Sequence, residues 1–328
     1  MLEVLLQSAP PWAWIGFIAF VFLMLALDLG VFNRKIHAPS FKETIVWSGV
    51  WICLALIFNV VVWTYMGRFK GIEWFTGYVL EKSLSVDNLF IFAMVFQAFA
   101  VDIKNQHRIL YWGILGALVF RIIMILGGTA LLNHFEWMMY IFGAFLIWTG
   151  MKMFFTKNEE TSNPSAGVIV RVVRRIIPFD PEGGHQHFLS KKNGKIFATP
   201  MLLVLLVIEA TDLVFAVDSI PAILAITRDP FVVFTSNIFA ILGLRSLYFL
   251  LAKMMDRFHH LKTGLAVILT FVGLKMCLAH WIKVTFSISD GVFIVTSLVF
   301  ICAVLVGSIA FSLLTTRHIK DGAYKLIC

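Results

Sequence analysis

Two apolar stretches of this chain hold acidic residues where a membrane-spanning segment would be expected to have none. Residues 81–88 read Glu-Lys-Ser-Leu-Ser-Val-Asp-Asn, and residues 209–219 read Glu-Ala-Thr-Asp-Leu-Val-Phe-Ala-Val-Asp-Ser. A charged side chain near a bilayer centre costs about 2.5–3.5 kcal/mol on insertion scales, so acids retained at that depth mark an ion site or a polar path.

The rest of the composition requires the membrane. The chain is 60% apolar and 14% charged, against about 25% charged in soluble proteins, which excludes an ordinary soluble domain. Hydropathy predicts nine spans, at 11–32, 45–66, 73–100, 109–132, 137–156, 198–226, 231–252, 263–282 and 291–314, most of them long enough to cross about 30 Å of hydrocarbon. The expected fold class is thus an all-α polytopic membrane protein. The acid-bearing third and sixth spans are longer than a straight crossing needs, which predicts tilt or a break.

Lys and Arg set the expected orientation. The loops after spans one, three, five and seven, with the C-terminal segment, hold 18 of them, whereas the opposite side holds Arg68, Lys70, Arg228 and Lys283. This asymmetry predicts an outside N-terminus and a cytoplasmic C-terminus. The net charge of +8 then follows from topology and anionic lipid, and nucleic acid is not an expected partner. The first ten residues contain Glu3 and no Lys or Arg, so a cleavable signal peptide is not expected there. Cys53, Cys277, Cys302 and Cys328 form no C-x-x-C pair, and neither a disulfide framework nor a zinc site is indicated.

The acidic segments also match each other. Glu81 and Asp87 are six apart, as are Asp212 and Asp218, and each second acid is followed by a small polar residue, Asn88 or Ser219. Downstream, Arg121 matches Arg245, and Thr-Gly-Met-Lys-Met at 149–153 matches Val-Gly-Leu-Lys-Met at 272–276, pairing Lys152 with Lys275. The spacing predicts one three-helix unit copied, spans 3–5 and 6–8, in a single transmembrane domain, with residues 157–197 inserted between the copies as a cytoplasmic loop. Copies three spans apart cross the bilayer in opposite directions, the arrangement of many secondary transporters.

Positions six apart point about 120° away from each other on a helix. Glu81 and Asp87, like Asp212 and Asp218, therefore need a bend to act together, for which the polar run Ser83–Asn88 is the candidate in the first copy and Pro221 in the second. Glu209 and Asp212 share a face. The candidate metal ligands are Glu81, Asp87, Asn88, Glu209, Asp212, Asp218 and Ser219, all oxygen donors, which suit hard divalent cations such as Mn²⁺, Mg²⁺ or Ca²⁺. Lys82, Arg121, Arg245, Lys275 and Asp28 form the supporting charge network, and simple pairing between these acids and bases is the competing explanation. Lys152, near a span end, is expected to snorkel. In the loop, residues 167–177 read as a membrane-surface segment, Asn193-Gly194 as a hairpin turn, and His185 and His187 as surface histidines.

The motifs Glu81-Lys-Ser-Leu-Ser-Val-Asp-Asn, Ala-Thr-Pro-Met at 198–201, Phe-Ala-Val-Asp-Ser-Ile-Pro-Ala at 215–222 and Asn-Ile-Phe-Ala-Ile-Leu-Gly-Leu-Arg at 237–245 resemble the TerC family of bacterial integral membrane proteins, closely its Alx branch. The resemblance covers nearly the whole chain. It implies a bacterial inner-membrane protein of a LysE-like transporter superfamily, associated with manganese export and with tellurite-resistance gene clusters, and it places Mn²⁺-binding acids at Glu81, Asp87, Glu209, Asp212 and Asp218. Mn²⁺ would be the transported substrate, with protons as the counter-ion, and no permanently bound cofactor is expected. A scaffold or assembly factor and an oxyanion exporter built on Arg121 and Arg245 are the alternatives. No G-x-x-x-x-G-K-[ST] motif is present, which argues against direct ATP drive. No Ser or Cys nucleophile stands with a His base in the spans, so an enzyme is not expected.

Overall fold

The computed structural model describes residues 8–27, 40–135, 137–155, 175, 178–180, 187–192, 195–252, 261–286 and 290–325. These are almost wholly helical: α1 (Pro11–Leu27), α2 (Phe41–Met66), α3 (Arg68–Ala98), α4 (Ile103–His134), α5 (Met138–Phe155), α6 (Pro200–Leu224), α7 (Pro230–Leu242), α8 (Leu244–Ala252), α9 (Leu261–Phe286) and α10 (Asp290–Lys325). A small antiparallel hairpin, β1 (Leu189–Lys192) and β2 (Lys195–Ala198), precedes α6 with Lys192 opposite Lys195, flanking the expected Asn193-Gly194 turn. The all-α polytopic fold class is the one hydropathy predicts. Residues 28–39, including Asp28, and most of the 157–186 segment, including His185, lie outside the described residues.

Among the described residues five helices, α2, α4, α5, α6 and α10, are long and apolar enough to cross a membrane, and α7 with α8 makes a sixth if the bent pair is one span. The acid-bearing α3, 31 residues long, falls outside that set while carrying Glu73, Glu81, Lys82 and Asp87. Along α2 the side chains of Ile45, Ile57, Val60 and Trp63 are exposed, an apolar surface that only lipid or another protein could cover.

The breaks are not where the sequence suggests them. α3 runs unbroken through residues 83–88, and there Ser83 Oγ donates to the Val79 carbonyl of its own helix at 2.5 Å without interrupting it. α6 is also continuous, with Pro221 in its last turn, so that only the bond to the Val217 carbonyl is lost and the helix ends three residues later. The bend comes instead at Gly243, where α7 and α8 meet at 44°. All thirteen residues of α7 are buried; it is the central helix, mostly apolar as such a position requires, with Thr235, Ser236 and Asn237 as its polar side chains. Trp14 and Phe17 of α1, Phe58 of α2 and Trp74 of α3 surround its Phe231, Phe234 and Phe239, and Trp74 Nε1 donates to Thr235 Oγ1 at 2.9 Å.

At one end of the bundle, the first turns of α3 meet the start of α7. Lys70 Nζ lies 2.9 Å from Glu73 and 3.4 Å from Asp229, Thr227 Oγ1 donates to Glu73, and Asp229 caps α7 by accepting from the amides of Phe231 and Val232. At the other end the hairpin leads into α6, capped by Thr199, and Phe188 packs under Arg108 of α4. α3 therefore begins at the end where α6 finishes, and the two run in opposite directions.

α5 and α9 cross at touching distance. A Cβ at Gly150 would meet Thr270 and the Ala266 carbonyl, and a Cβ at Gly273 would meet Ile147 and the Gly143 carbonyl. Gly150 and Gly273, Gly143 and Ala266, and Ile147 and Thr270 are each 123 residues apart in sequence. The crossing is thus reciprocal, each helix offering the other the same positions, as in an isologous interface. The same exchange relates the packing of α3 on α7 to that of α6 on α4.

Candidate functional site

Arg121, on α4, joins acids from both long helices. Its guanidinium is fully buried; Nη1 donates to Glu81 Oε1 of α3 and to Asn237 Oδ1 of α7 at 3.2 Å, and Nη2 donates to Asp212 Oδ1 of α6 at 3.4 Å. Four helices thus converge on one cation. Several polar atoms here have no hydrogen-bond partner: Glu81 Oε2, Arg121 Nε and Asn237 Nδ2. Buried polar atoms are rarely left without partners, so this cluster has capacity for water, a proton or an ion.

Glu209 lies one turn before Asp212 on α6, and its Oε2 is also buried without a partner. Its carboxylate lies directly over Gly116 of α4. Asp218 stands apart from Arg121, half-buried, with Oδ1 accepting from Thr149 Oγ1 of α5 at 3.2 Å, and Lys152 of α5 is within its electrostatic reach. The adjacent Ser219 is buried, its Oγ without a partner, and Asn88 of α3 is buried as well. Asp87 lies on α3, its side chain outside the described residues.

The expected seven-ligand set is therefore distributed. Glu81 and Asp212 meet on Arg121, with Glu209 beside Asp212, while Asp218 is held separately by Thr149 of α5. Among the described residues no three acids, histidines or cysteines converge as a metal-binding group. The supporting bases also differ in what they touch. Lys82 Nζ donates to the Ala240 carbonyl at 3.1 Å, beside Gly243. It thereby caps the C-terminal end of α7 where the bend frees carbonyls, a favourable place for a cation at the negative end of a helix. The Lys275 ammonium sits 4.3 Å from the ring centre of Phe293, and Arg245 is buried. Lys152 is exposed at the end of α5, 5.4 Å over Trp148, as a snorkelling residue would be.

Sequence reasoning missed Asn237, Thr149, Gly116 and Gly243 as site residues. Asn237 was detectable as a single amide in an apolar span, and Thr149 as part of the repeated Thr-Gly-Met-Lys-Met. Gly116 carried no signal of its own.

The chain matches the model of the integral membrane protein TerC family over residues 66–320. It is 49% identical to an uncharacterized membrane protein of Myxococcus xanthus across 97% of both chains. It is 46% identical to a Salmonella typhi protein provisionally named a membrane-bound redox modulator, Alx, over 86% of this chain and 90% of that one, and 40% identical to an uncharacterized membrane protein of Rickettsia bellii over 84% and 91%. No solved structure matches it. Acids held inside paired helices, the motifs around them and the match across most of the sequence agree, and the chain belongs to the TerC family of integral membrane proteins.

Proposed function

We propose that this protein is a secondary transporter exporting a hard divalent cation, Mn²⁺ in the first instance, from the cytoplasm of a bacterial cell, with proton exchange at the intramembrane acids. The observation that carries this reading is the meeting of Glu81 and Asp212, one from each oppositely directed acid-bearing helix, at a buried centre where Glu81 Oε2 has no hydrogen-bond partner. The reciprocal α5–α9 crossing supports an inverted repeat, whose interface near mid-membrane is where such proteins bind their substrates. Carboxylate, amide and hydroxyl oxygens suit Mn²⁺, Mg²⁺ and Ca²⁺. Arg121 holds Glu81 and Asp212 in place, and Glu209 and Asp218, with no ion pair among the described residues, are the acids free to exchange a metal for a proton.

The name given to some relatives points to redox chemistry instead. Here the described thiols, Cys53, Cys277 and Cys302, are free and lie on three different helices, so the geometry favours the acids as the working groups.

The test is transport by purified protein in liposomes, across Mn²⁺, Mg²⁺, Ca²⁺ and an oxyanion. Mn²⁺ accumulation that disappears in Asp218→Asn and Asp87→Asn, both still present in the membrane, is the expected result. Normal transport by both variants overturns the metal assignment, and oxyanion transport lost with Arg245→Gln moves the function to the basic residues. Tags at Asn163 and at the C-terminus should report cytoplasm and a tag near Arg228 the other side; any other pattern removes the inverted repeat.

A further inference from the structure

The glycines of this fold do two different jobs. At Gly143, Gly150 and Gly273 the atoms that a Cβ would strike include backbone of a neighbouring helix, so those glycines let helices approach closely. At Gly116 on α4 the three nearest atoms all belong to the carboxyl group of Glu209. One turn earlier, Gly113 meets only ordinary contacts with Ile208 and Leu205, and farther along Gly127 faces open space. Gly116 thus leaves a notch in the surface of α4 that is filled by a carboxylate, one oxygen of which is buried without a partner.

We propose that Gly116 is a positioning residue: the absence of its side chain lets the Glu209 carboxylate lie against α4, on the same helix as Arg121, so that both acids of the Glu209–Asp212 pair are placed by α4. This rests on the transporter reading of the site. The atoms displaced by a methyl at this point are the far end of a flexible side chain and not a helix backbone. Gly116→Ala is therefore tolerated by the fold and moves one functional group. A glycine serving helix packing behaves in the opposite way, losing stability first.

The experiment compares Gly116→Ala, Glu209→Asp, the double variant Gly116→Ala/Glu209→Asp, Glu209→Gln and the control Gly127→Ala, each purified and measured for thermal unfolding and for Mn²⁺ uptake into liposomes. Gly116→Ala should unfold at the wild-type temperature and transport Mn²⁺ with KM raised roughly tenfold or more, since about an ångström of misplacement can cost a hundredfold. Glu209→Asp alone, with its carboxylate drawn back from the notch, should also be impaired. The double variant should recover most of the loss, because the shorter acid makes room for the methyl, a coupling that two independent defects do not give. Gly127→Ala should behave as wild type. Wild-type transport by Gly116→Ala, together with an inactive Glu209→Gln, overturns the assignment of Gly116 and leaves the site standing. An impaired double variant no better than either single one also overturns it. Wild-type transport by Glu209→Gln overturns the role of Glu209 and this inference with it.

Discussion

Arg121 and Asp218 illustrate two ways of keeping charge inside an apolar bundle. The Arg121 centre is an ion-paired cluster: one guanidinium, two carboxylates and an amide, all buried and contributed by four helices. Asp218 is half-buried, accepts one hydroxyl hydrogen bond, from Thr149, and has the exposed Lys152 within electrostatic reach. Removing one member of a buried pair leaves an uncompensated charge, whereas a half-buried acid with one hydroxyl donor and an exposed cation can change its partner with less disturbance to the helices around it. The first arrangement suits a brace and the second a site that must load and unload. Charge pairing thus describes Glu81 and Asp212, held on Arg121, while the proposed ion binding rests on the acids outside that pairing.

The largest effect that would break this comparison is at the brace. Arg121→Gln strands Glu81 and Asp212 and should destabilise the protein by about 3–5 kcal/mol, seen as loss of accumulation in the membrane and a lower unfolding temperature in detergent. A stable Arg121→Gln would mean that the cluster does not hold the helices together. Lys82→Met should follow, at about 1.5–3 kcal/mol for loss of a charged donor to a buried carbonyl, with Lys82→Arg recovering part of it; its unfolding temperature is the measurement. Asp218→Asn keeps the Thr149 hydrogen bond and should change stability by less than about 1 kcal/mol, while Mn²⁺ transport falls to background. Equal stability losses at Arg121 and Asp218 would erase the distinction between them.

The finest prediction concerns protons. A carboxylate must be deprotonated to hold a metal ion, so protons compete with Mn²⁺ for the same oxygens. Lowering the pH on the metal-binding side should therefore raise the KM for Mn²⁺, and an inwardly directed proton gradient should drive export from right-side-out vesicles. Glu209→Gln should flatten that pH dependence more than it abolishes binding. Transport that ignores both pH and the gradient would make the protein a uniporter or channel.

Much of this was legible without coordinates. Hydropathy gave the membrane class, because hydrocarbon tolerates few charges and leaves long apolar runs as a signature. The spacing of Glu81, Asp87, Asp212 and Asp218, and the paired motifs at 149–153 and 272–276, pointed to helices that the structure packs reciprocally. The helix break was not legible, because Ser83 and Pro221 look disruptive in sequence yet one bonds back into its own helix and the other falls in a last turn, while Gly243 looks like any membrane glycine.

Local patterning thus marked the chain as membrane-spanning, predicted a repeat and singled out the exceptional acids, since these depend on composition and period alone. Which acid meets Arg121, which meets Thr149, where Lys82 finds a carbonyl and which carboxylate lies over Gly116 were decided by the tertiary structure. Each depends on residues between 40 and 158 positions apart coming within a few ångströms, and only helix packing sets such distances.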